Sequence, residues 1–415
     1  MKQFGLIGEK LGHSHSRTLH GYLADYSYEL WPMPHEALDG FLRRADFDGI
    51  NVTIPYKKDV IPYLSEMGET AKRIGCVNTI VKRADGSLYG DNTDAYGMGV
   101  MAQRAGIQFE GKKTLILGSG GTSLTAQAVV RAAGGEAVVI SRSGENNYEN
   151  LEMHADASYL INTTPVGMYP HVEASPVDLQ RLPNLRGVLD VVYNPLRTKL
   201  LQQAEELGIP HEGGLCMLVY QAVRACELFT GEKVSMERAE AAEKTLRKSI
   251  TNLVLIGMPG CGKSSIGARL AKEVGMPAVD LDEEIVKASG MTIPEIFQKE
   301  GEAGFREREA EQVKRFGSLG GQVLITGGGA VKRKENCDHL RMNGVVVQLK
   351  RSLDLLPTDG RPLSKDRQAL EAMWQERAPL YAACADLIVD NDGSMEACVQ
   401  KIKEGFDEAL CAQRT

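Results

Sequence analysis

The sequence predicts an α/β protein made of several sheet-forming units. Short β-branched runs alternate with stretches of helical composition, which is the pattern of α/β layers built on parallel strands. Three of these runs end in glycine, at residues 4–8, 114–118 and 253–257. The chain has 415 residues and so exceeds the size at which one hydrophobic core usually stops growing. We therefore expect units that begin near residues 1, 112 and 252.

Composition excludes several classes of protein. The chain is 43% hydrophobic and 25% charged, with a formal net charge of −7. This is ordinary for a globular protein, and without a basic block we expect no nucleic-acid partner. No apolar run reaches about 18 residues, so we expect no transmembrane helix and no membrane partner. The eight cysteines form no Cys-x-x-Cys pair or zinc-type cluster, which indicates reduced thiols in the cytoplasm. The oligomeric state stays open.

A phosphate-binding loop occupies residues 257–264. The segment matches G-x-x-x-x-G-K-[ST] in full, after an apolar strand and before a helix-forming run. Glycines let backbone N–H groups turn toward phosphate oxygens, and the helix N-terminus adds a favourable dipole. Lys263 would place a charge on the β/γ-phosphates, and the Ser264 hydroxyl would bind Mg²⁺. The pattern predicts that a nucleoside triphosphate is bound by Gly257, Gly260, Cys261, Gly262, Lys263, Ser264 and Ser265.

Two carboxylates, Asp280 and Asp282, follow this loop. In an extended segment both would lie on the same side, because side chains alternate with period two. Paired acids at the end of a strand beside a P-loop favour contacts with a metal and an acceptor hydroxyl. The alternative is a strand end followed by a helix cap. Further motifs follow at residues 301–309, 327–329, 359–363 and 375–381.

In this order the motifs from about 250 to 412 resemble shikimate kinase. The resemblance implies that Asp280 lies near Mg²⁺, that Asp282 contacts the acceptor hydroxyls and acts in catalysis, and that Arg361 reaches the transferring phosphoryl group. It also implies four acceptor-binding residues: Arg306, Arg377, Gly328 and Gly329. The two arginines would grip the substrate carboxylate, for which a bidentate guanidinium is suited. The segment from Lys350 to Arg361 is shorter than the family's lid, with no obvious arginine for stacking on adenine.

A second nucleotide motif follows the strand at residues 114–117. Its spacing is G-x-G-x-x-S, with Ser123 where the dinucleotide fingerprint usually has Gly or Ala. The next strand, 136–140, ends without the acid that holds the ribose 2′-hydroxyl of NAD. A guanidinium and two hydroxyls stand there instead and suit a 2′-phosphate, so we expect NADP(H). The expected contacts are Gly118, Gly120, Gly121, Thr122, Ser141, Arg142 and Ser143.

Polar motifs at residues 12–16, 51–57, 76–79 and 90–94 indicate a pocket for a polyhydroxylated acid. Singly, each could be a turn or a cap, and we prefer that interpretation for His13 and His15. In this order, however, residues 1–245 resemble shikimate dehydrogenase. The resemblance implies that Lys57 and Asp94 are the catalytic pair. It implies that the substrate is held by Ser14, Ser16, Thr53, Asn78, Tyr193 and Gln221.

Two departures from the dehydrogenase pattern are visible. Arg17 stands where the family has proline, and residues 143–157 are short for the helix expected between the second and third Rossmann strands. Composition also predicts a helix over residues 235–248, where we place the boundary with the kinase-like half.

Together these motifs predict three domains. A substrate domain covers 1–95 and is completed by helices at about 215–247, an NADP-binding Rossmann domain covers 96–214, and a P-loop domain of nucleoside monophosphate kinase type covers 250–412. The expected activities are NADPH-dependent reduction of 3-dehydroshikimate to shikimate and ATP-dependent phosphorylation of shikimate to shikimate 3-phosphate. Two alternatives stay open: one half is inactive and regulatory, or an NAD-dependent quinate/shikimate dehydrogenase is fused to a kinase.

Overall fold

The computed structural model describes residues 2–12, 14–357 and 367–412. The chain divides into two compact units, Met1–Tyr193 with Leu200–Leu246, and Asn194–Lys199 with Arg247–Thr415. The division between Leu246 and Arg247 falls within helix Met236–Ile250. This is the stretch whose composition predicted a helix. Within the first unit, the predicted boundary between residues 95 and 96 stays a prediction.

The first sheet carries the polar motifs of the first hundred residues. Its strands are β1 (Phe4–Gly8), β2 (Tyr28–Pro32), β3 (Gly49–Val52), β4 (Glu66–Met67), β5 (Thr79–Lys82) and β6 (Leu88–Asp91). They lie in the order β2-β1-β3-β5-β6-β4. The alternating pattern predicted parallel pairing, but β5 is antiparallel to both of its neighbours. The antiparallel pairing with β6 follows from a tight hairpin, in which Oδ1 of Asp85 accepts the N–H of Ser87 (2.9 Å).

Four helices accompany this sheet: α1 (Ser16–Leu23), α2 (His35–Arg44), α3 (Glu69–Ile74) and α4 (Asp94–Arg104). Ile7, Ile50 and Val52 alternate with other residues along β1 and β3 and are fully buried in one core with Phe47 and Tyr56. This core fixes the carboxyl ends of β1 and β3, from which the polar motifs continue.

The second sheet is wholly parallel and has a Rossmann-like arrangement. Its strands are β7 (Lys113–Leu117), β8 (Glu136–Ile140), β9 (Tyr159–Asn162), β10 (Gly187–Asp190) and β11 (His211–Gly213), in the order β11-β10-β9-β7-β8. The helices are α5 (Gly121–Ala132), α6 (Lys199–Glu206), α7 (Gly214–Thr230) and α8 (Met236–Ile250). Between β8 and β9 there is only a 3-10 turn, Leu151–His154. The short β8–β9 connection is therefore confirmed.

The third sheet is also parallel and belongs to the second unit. Its strands are β12 (Asn252–Ile256), β13 (Ala278–Asp280), β14 (Val323–Ile325), β15 (Gly344–Lys350) and β16 (Leu387–Asp390), in the order β13-β14-β12-β15-β16. The helices are α9 (Lys263–Val274), α10 (Leu281–Ser289), α11 (Ile293–Gly317), α12 (Lys334–Met342), α13 (Arg367–Cys384) and α14 (Met395–Ala412).

β12 lies at the centre of this sheet, and residues 252–256 are all buried. Strands buried on both faces read as continuous apolar runs, which is why Leu253–Ile256 stood out in the sequence. The P-loop follows at the carboxyl end of β12, where open α/β sheets place their ligands. No helix in the described part of the chain combines the length and the apolar character needed to cross a membrane.

Candidate active sites

The first unit contains a cavity of about 400 Å³. All eight residues to which the dehydrogenase resemblance assigned catalysis or substrate binding line it: Ser14, Ser16, Thr53, Lys57, Asn78, Asp94, Tyr193 and Gln221. They come from the start of α1, the segments that follow β3 and β10, the residue before β5, the start of α4 and the middle of α7. The fold thus gathers residues more than two hundred positions apart around one space. His13, which precedes Ser14, lies outside the described residues.

Lys57 and Asp94 form an ion pair at the edge of this cavity. Nζ of Lys57 lies 2.5 Å from Oδ2 of Asp94, and the two side chains are 22% and 11% exposed. Burial alone would lower the pKa of Lys57, but the charge and hydrogen bond of Asp94 outweigh it and raise that pKa above its usual value. The ammonium group is therefore protonated at neutral pH, in the form that can donate a proton.

The amide of Asn78 is held by Thr93, the residue directly before α4. Its Oδ1 accepts the backbone N–H of Thr93 (2.7 Å), and its Nδ2 donates to Oγ1 of Thr93 (3.0 Å). These contacts set which end of the amide is the acceptor. A pre-oriented amide can address a substrate hydroxyl without losing conformational freedom on binding.

Asn51 also lines the cavity and had no role assigned from the sequence. Its Oδ1 accepts the hydroxyl of Tyr28 (2.7 Å), and its Nδ2 donates to Oγ1 of Thr79 (3.0 Å). Tyr28 in turn stacks on His20, with ring centroids 4.0 Å apart. Burial lowers the pKa of His20 to about 3, so this imidazole is neutral. The only sequence signal for Asn51 was its place in the motif that contains Thr53 and Lys57.

The glycine turn after β7 has the geometry of a dinucleotide site. Gly118 has φ +100°, and a Cβ there would lie 2.9 Å from Cγ2 of Thr164, so only glycine fits without strain. At Gly120 and Gly121 a Cβ would meet no atom within 4 Å, which leaves open space over the N-terminus of α5. That space and the N–H groups beneath it suit a pyrophosphate. Thr122, in the first turn of α5, also lines the substrate cavity.

The proposed 2′-phosphate contacts follow the neighbouring strand, β8, which pairs with β7 in parallel. Ser141 is half-buried, whereas Arg142 and Ser143 are exposed. No acidic side chain stands among these three residues. An exposed guanidinium at this strand end is available to a phosphate, and this fits NADP(H) better than NAD.

The P-loop of the second unit borders a cavity of about 610 Å³. Gly257, Gly260 and Gly262 have φ of +143°, +84° and +98°, which explains the glycines at these positions. Nζ of Lys263 donates to the carbonyls of Gly257 (2.9 Å) and Met258 (3.0 Å). The lysine is thus folded back over the loop.

Not every predicted P-loop contact reaches this cavity. Gly260, Gly262, Lys263, Ser264 and Ser265 line it. Cys261 is fully buried, and its carbonyl accepts Nδ2 of Asn391 (2.8 Å). A Cβ on Gly257 would lie 2.4 Å from the carbonyl oxygen of Leu349. These two residues shape the loop and are not part of the cavity wall.

The expected extended arrangement of Asp280 and Asp282 is wrong. β13 ends at Asp280, which caps α10 by accepting the N–H of Asp282 on its Oδ1 (3.0 Å). An aspartate at this position satisfies a free helix N–H group, so capping replaces strand alternation. Both carboxylates nevertheless line the cavity. Burial, followed by the nearby charges of Asp280 and Glu309, raises the pKa of Asp282 to about 6.

The proposed metal ligands lie side by side. Oγ of Ser264 donates to Oδ2 of Asp280 (3.1 Å). Mg²⁺ prefers oxygen ligands and usually binds through one or two carboxylates together with substrate phosphates. Among the described residues no group of three or more His, Cys, Asp or Glu side chains forms a metal cage. A hydroxyl and a carboxylate beside the P-loop therefore fit a metal that is held largely by the nucleotide.

Arg306 and Arg377 meet around the glycine turn that follows β14. Arg306 donates to Oε2 of Glu309 (2.6 Å), and a Cβ on Gly329 would lie 2.4 Å from its Nη2. Arg377 donates to the carbonyl of Gly328 (3.0 Å). A side chain at 329 would thus displace the Arg306 guanidinium from this position. The expected backbone N–H donors of Gly328 and Gly329 stay a prediction.

Glu309 is a second residue with no role assigned from the sequence. Its side chain is 1% exposed, and it pairs with Arg306, three residues earlier on α11. Burial raises its pKa despite the nearby arginines. The spacing of Arg306 and Glu309 in the 301–309 motif was the available signal. Arg361 lies outside the described residues, as does the rest of the segment 358–366.

Comparisons with known proteins identify a family for each part of the chain. The model of the shikimate dehydrogenase substrate binding domain matches residues 6–80, and the shikimate kinase model matches residues 259–406. A shikimate dehydrogenase (NADP(+)) of Clostridium perfringens is 37% identical over 269 residues, which are 60% of this chain and 99% of the relative.

Solved structures extend the comparison to the fold. The chorismate mutase/shikimate 5-dehydrogenase fusion protein of Clostridium acetobutylicum has a TM-score of 0.56 at 32% identity, covering 60% of this chain and 98% of its own. Shikimate 5-dehydrogenase of Thermus thermophilus, in complex with NADP(H) and shikimate, has a TM-score of 0.54 at 32% identity, covering 59% and 99%. The chain therefore belongs to the shikimate dehydrogenase family and carries a shikimate kinase domain after that part, as a bifunctional shikimate-pathway fusion.

Proposed function

We propose that the two halves catalyse consecutive reactions. The first unit reduces 3-dehydroshikimate to shikimate with NADPH, and the second transfers the γ-phosphoryl group of ATP to the 3-hydroxyl of shikimate. The observation that carries this proposal is the presence in one chain of a Lys57–Asp94 pair in a polar cavity and a P-loop beside an arginine-lined cavity. The product of the first reaction is the acceptor of the second.

In the reductase, Lys57 is the general acid. NADPH supplies the hydride when bound at the turn that contains Gly118. Negative charge then develops on the former keto oxygen, and Lys57 donates a proton to that oxygen. Asp94 orients the ammonium group and keeps it charged. Ser14, Ser16, Thr53, Asn78, Tyr193 and Gln221 hold the hydroxyls and carboxylate of the substrate.

In the kinase, the residues position the acceptor and neutralise charge. Lys263 would exchange its two backbone carbonyls for the phosphates. Ser264 and Asp280 would hold Mg²⁺, which would neutralise phosphate charge. Asp282, with a pKa of about 6, is mostly ionised at neutral pH and accepts the proton of the attacking hydroxyl. Arg306 and Arg377 are the two residues assigned to bind the carboxylate of the acceptor. Arg361 is assigned to the transferring phosphoryl group by resemblance alone.

A cytoplasmic location is part of the proposal. NADPH and ATP are both intracellular reactants, and all eight cysteines are free thiols. Free thiols are the usual state in a reducing compartment.

Separate assays of the purified full chain test the proposal. Shikimate with NADP⁺ should yield NADPH, and shikimate with MgATP should yield ADP and shikimate 3-phosphate. Quinate with NAD⁺ serves as the competing substrate pair. Lys263→Ala should abolish phosphorylation and leave shikimate oxidation unchanged. Loss of both activities in that variant would contradict independent sites, and faster turnover of quinate with NAD⁺ would favour the alternative dehydrogenase.

A further inference from the structure

Arg351 is the first residue after β15 and lines the cavity of the second unit. β15 pairs with β12 in parallel, and Ile256 is opposite Gln348. One residue further along, a Cβ added to Gly257 would lie 2.4 Å from the carbonyl oxygen of Leu349. The chain therefore delivers Arg351 beside the first residues of the P-loop.

The other cations of this cavity all have protein partners. Lys263 donates to two backbone carbonyls, Arg306 pairs with Glu309, and Arg377 donates to Gly328. These contacts hold the three side chains in place before any substrate binds.

Arg351 differs from them. In the part of the chain that the structure describes, no hydrogen bond or ion pair engages any atom of its guanidinium. Its Nε is buried without a partner, as is Nε of Arg377, but Arg377 still donates through Nη1 to Gly328. Asp392 lies within electrostatic range, but its carboxylate accepts the N–H and the hydroxyl of Ser352. A buried polar atom without a partner is costly and calls for an explanation. The explanation that fits a cation in a ligand cavity is that its guanidinium binds an anionic ligand.

Sheet order indicates which ligand Arg351 contacts. The strands that lead to the acceptor side, β13 before Asp282 and β14 before Gly328, lie on one side of β12. β15 and Arg351 lie on the other side. The same cavity also contains the acceptor-side residues Asp282 and Arg306. Because the terminal phosphoryl group is transferred to the acceptor, it would lie between the P-loop and those residues, in the space that Arg351 faces from the other side.

We propose that Arg351 binds the terminal phosphoryl group of ATP, as a nucleotide-binding cation in addition to Lys263. This inference rests on the proposed kinase function. Guanidinium groups suit phosphate because two parallel N–H donors match two phosphate oxygens. Arg351 would thus supply positive charge from the rigid end of a central strand, at a site that the sequence motifs do not mark.

Equilibrium titration calorimetry with the full chain, Mg²⁺ and either ATP or ADP tests the proposal. Arg351→Ala should weaken ATP binding roughly tenfold to a hundredfold, the effect of losing a charge-assisted hydrogen bond. Because ADP lacks the terminal phosphoryl group, its affinity should change less than about threefold. Arg351→Lys should recover part of the loss, since it keeps the charge without the fork.

Lys350→Ala is the matched control, because it removes an exposed cation one residue away whose nearest acid is Asp390 at 4.0 Å. It should leave both affinities unchanged, and an unchanged thermal unfolding profile of the full chain in every variant would show that the second unit is folded. Unchanged ATP affinity in Arg351→Ala would overturn the inference, as would equal weakening of ATP and ADP. A wild-type chain that binds ATP without phosphorylating shikimate would refute the proposed function instead, and the calorimetry would still report on Arg351.

Discussion

Nζ of Lys57 lies 2.5 Å from Oδ2 of Asp94, and 37 residues separate the two in sequence. The end of β3 delivers the lysine, and the first turn of α4 delivers the aspartate. Both side chains are largely buried, and Asp94 raises the pKa of Lys57 against the effect of burial. This relationship explains how an ammonium group stays protonated inside a cavity, and it underlies the first two predictions.

Lys57→Ala should lower kcat for the reduction of 3-dehydroshikimate by ~10²–10⁴, the usual contribution of a positioned general acid. Steady-state kinetics at saturating NADPH measures the effect. Lys58→Ala is the control, because Lys58 is exposed and does not line the cavity. Unchanged turnover in Lys57→Ala would remove the lysine from the mechanism.

Asp94→Asn should move the alkaline limb of the reduction profile to lower pH. Asp94 raises the pKa of Lys57 against the effect of burial, so without the carboxylate the pKa falls and the proton is lost earlier as pH rises. In the wild type the raised pKa of Lys57 contributes stability at neutral pH, and this contribution is lost as pH rises through that raised pKa. A profile of kcat against pH checks the prediction, and an unmoved alkaline limb would contradict it.

Arg142→Ala should raise KM for NADPH by roughly tenfold to a hundredfold, since a charge-assisted contact to the 2′-phosphate is lost. KM for NADH should change little, because NADH has no phosphate at that position. Arg131→Ala, at the exposed end of α5, is the matched control. Equal effects on the two cofactors would show that Arg142 does not select NADP.

Phosphorylation should lose rate as pH falls through about 6, the pKa to which burial and neighbouring acids raise Asp282. Below that pH the carboxyl is protonated and cannot accept the proton of the shikimate hydroxyl. kcat for ADP release, measured from about pH 5 to about pH 8 at saturating substrates, checks this limb. Full kinase activity at about pH 5 would argue that Asp282 is not the base.

Gly329→Ala should raise KM for shikimate in the kinase reaction and leave KM for ATP nearly unchanged. The added Cβ would lie 2.4 Å from Nη2 of Arg306, and Glu309 restrains this arginine at 2.6 Å. The guanidinium must therefore move from its place. Gly393→Ala is the control, because a Cβ there meets no atom within 4 Å. Equal KM values for the two variants would mean that Arg306 does not bind the acceptor.

Much of this account could be predicted from local patterns. The strands at 4–8, 113–117 and 252–256 were visible because parallel strands buried on both faces are continuous apolar runs. The P-loop was visible because its backbone requires glycine at fixed places. All eight dehydrogenase residues meet in one cavity, since their motifs follow strand ends or begin helices.

The remainder depends on contacts that no local pattern contains. The extended arrangement of Asp280 and Asp282 was wrong, and the helix cap given as its alternative is what forms, because capping competes with strand alternation at the same residues. Tyr28 and Asn51 are 23 residues apart, and the sequence around either residue does not predict their hydrogen bond. Arg351 stands alone after a strand, and only the surrounding cavity and its missing partner mark it.

The central claim is that one chain carries out both steps, and one coupled assay tests it most directly. The purified protein is given 3-dehydroshikimate, NADPH and MgATP, and NADPH loss, ADP release and organic products are followed together. The account predicts shikimate 3-phosphate, with one NADPH oxidised and one ATP consumed per product. Accumulation of shikimate without ADP release would contradict the kinase assignment, and unchanged NADPH would contradict the reductase assignment.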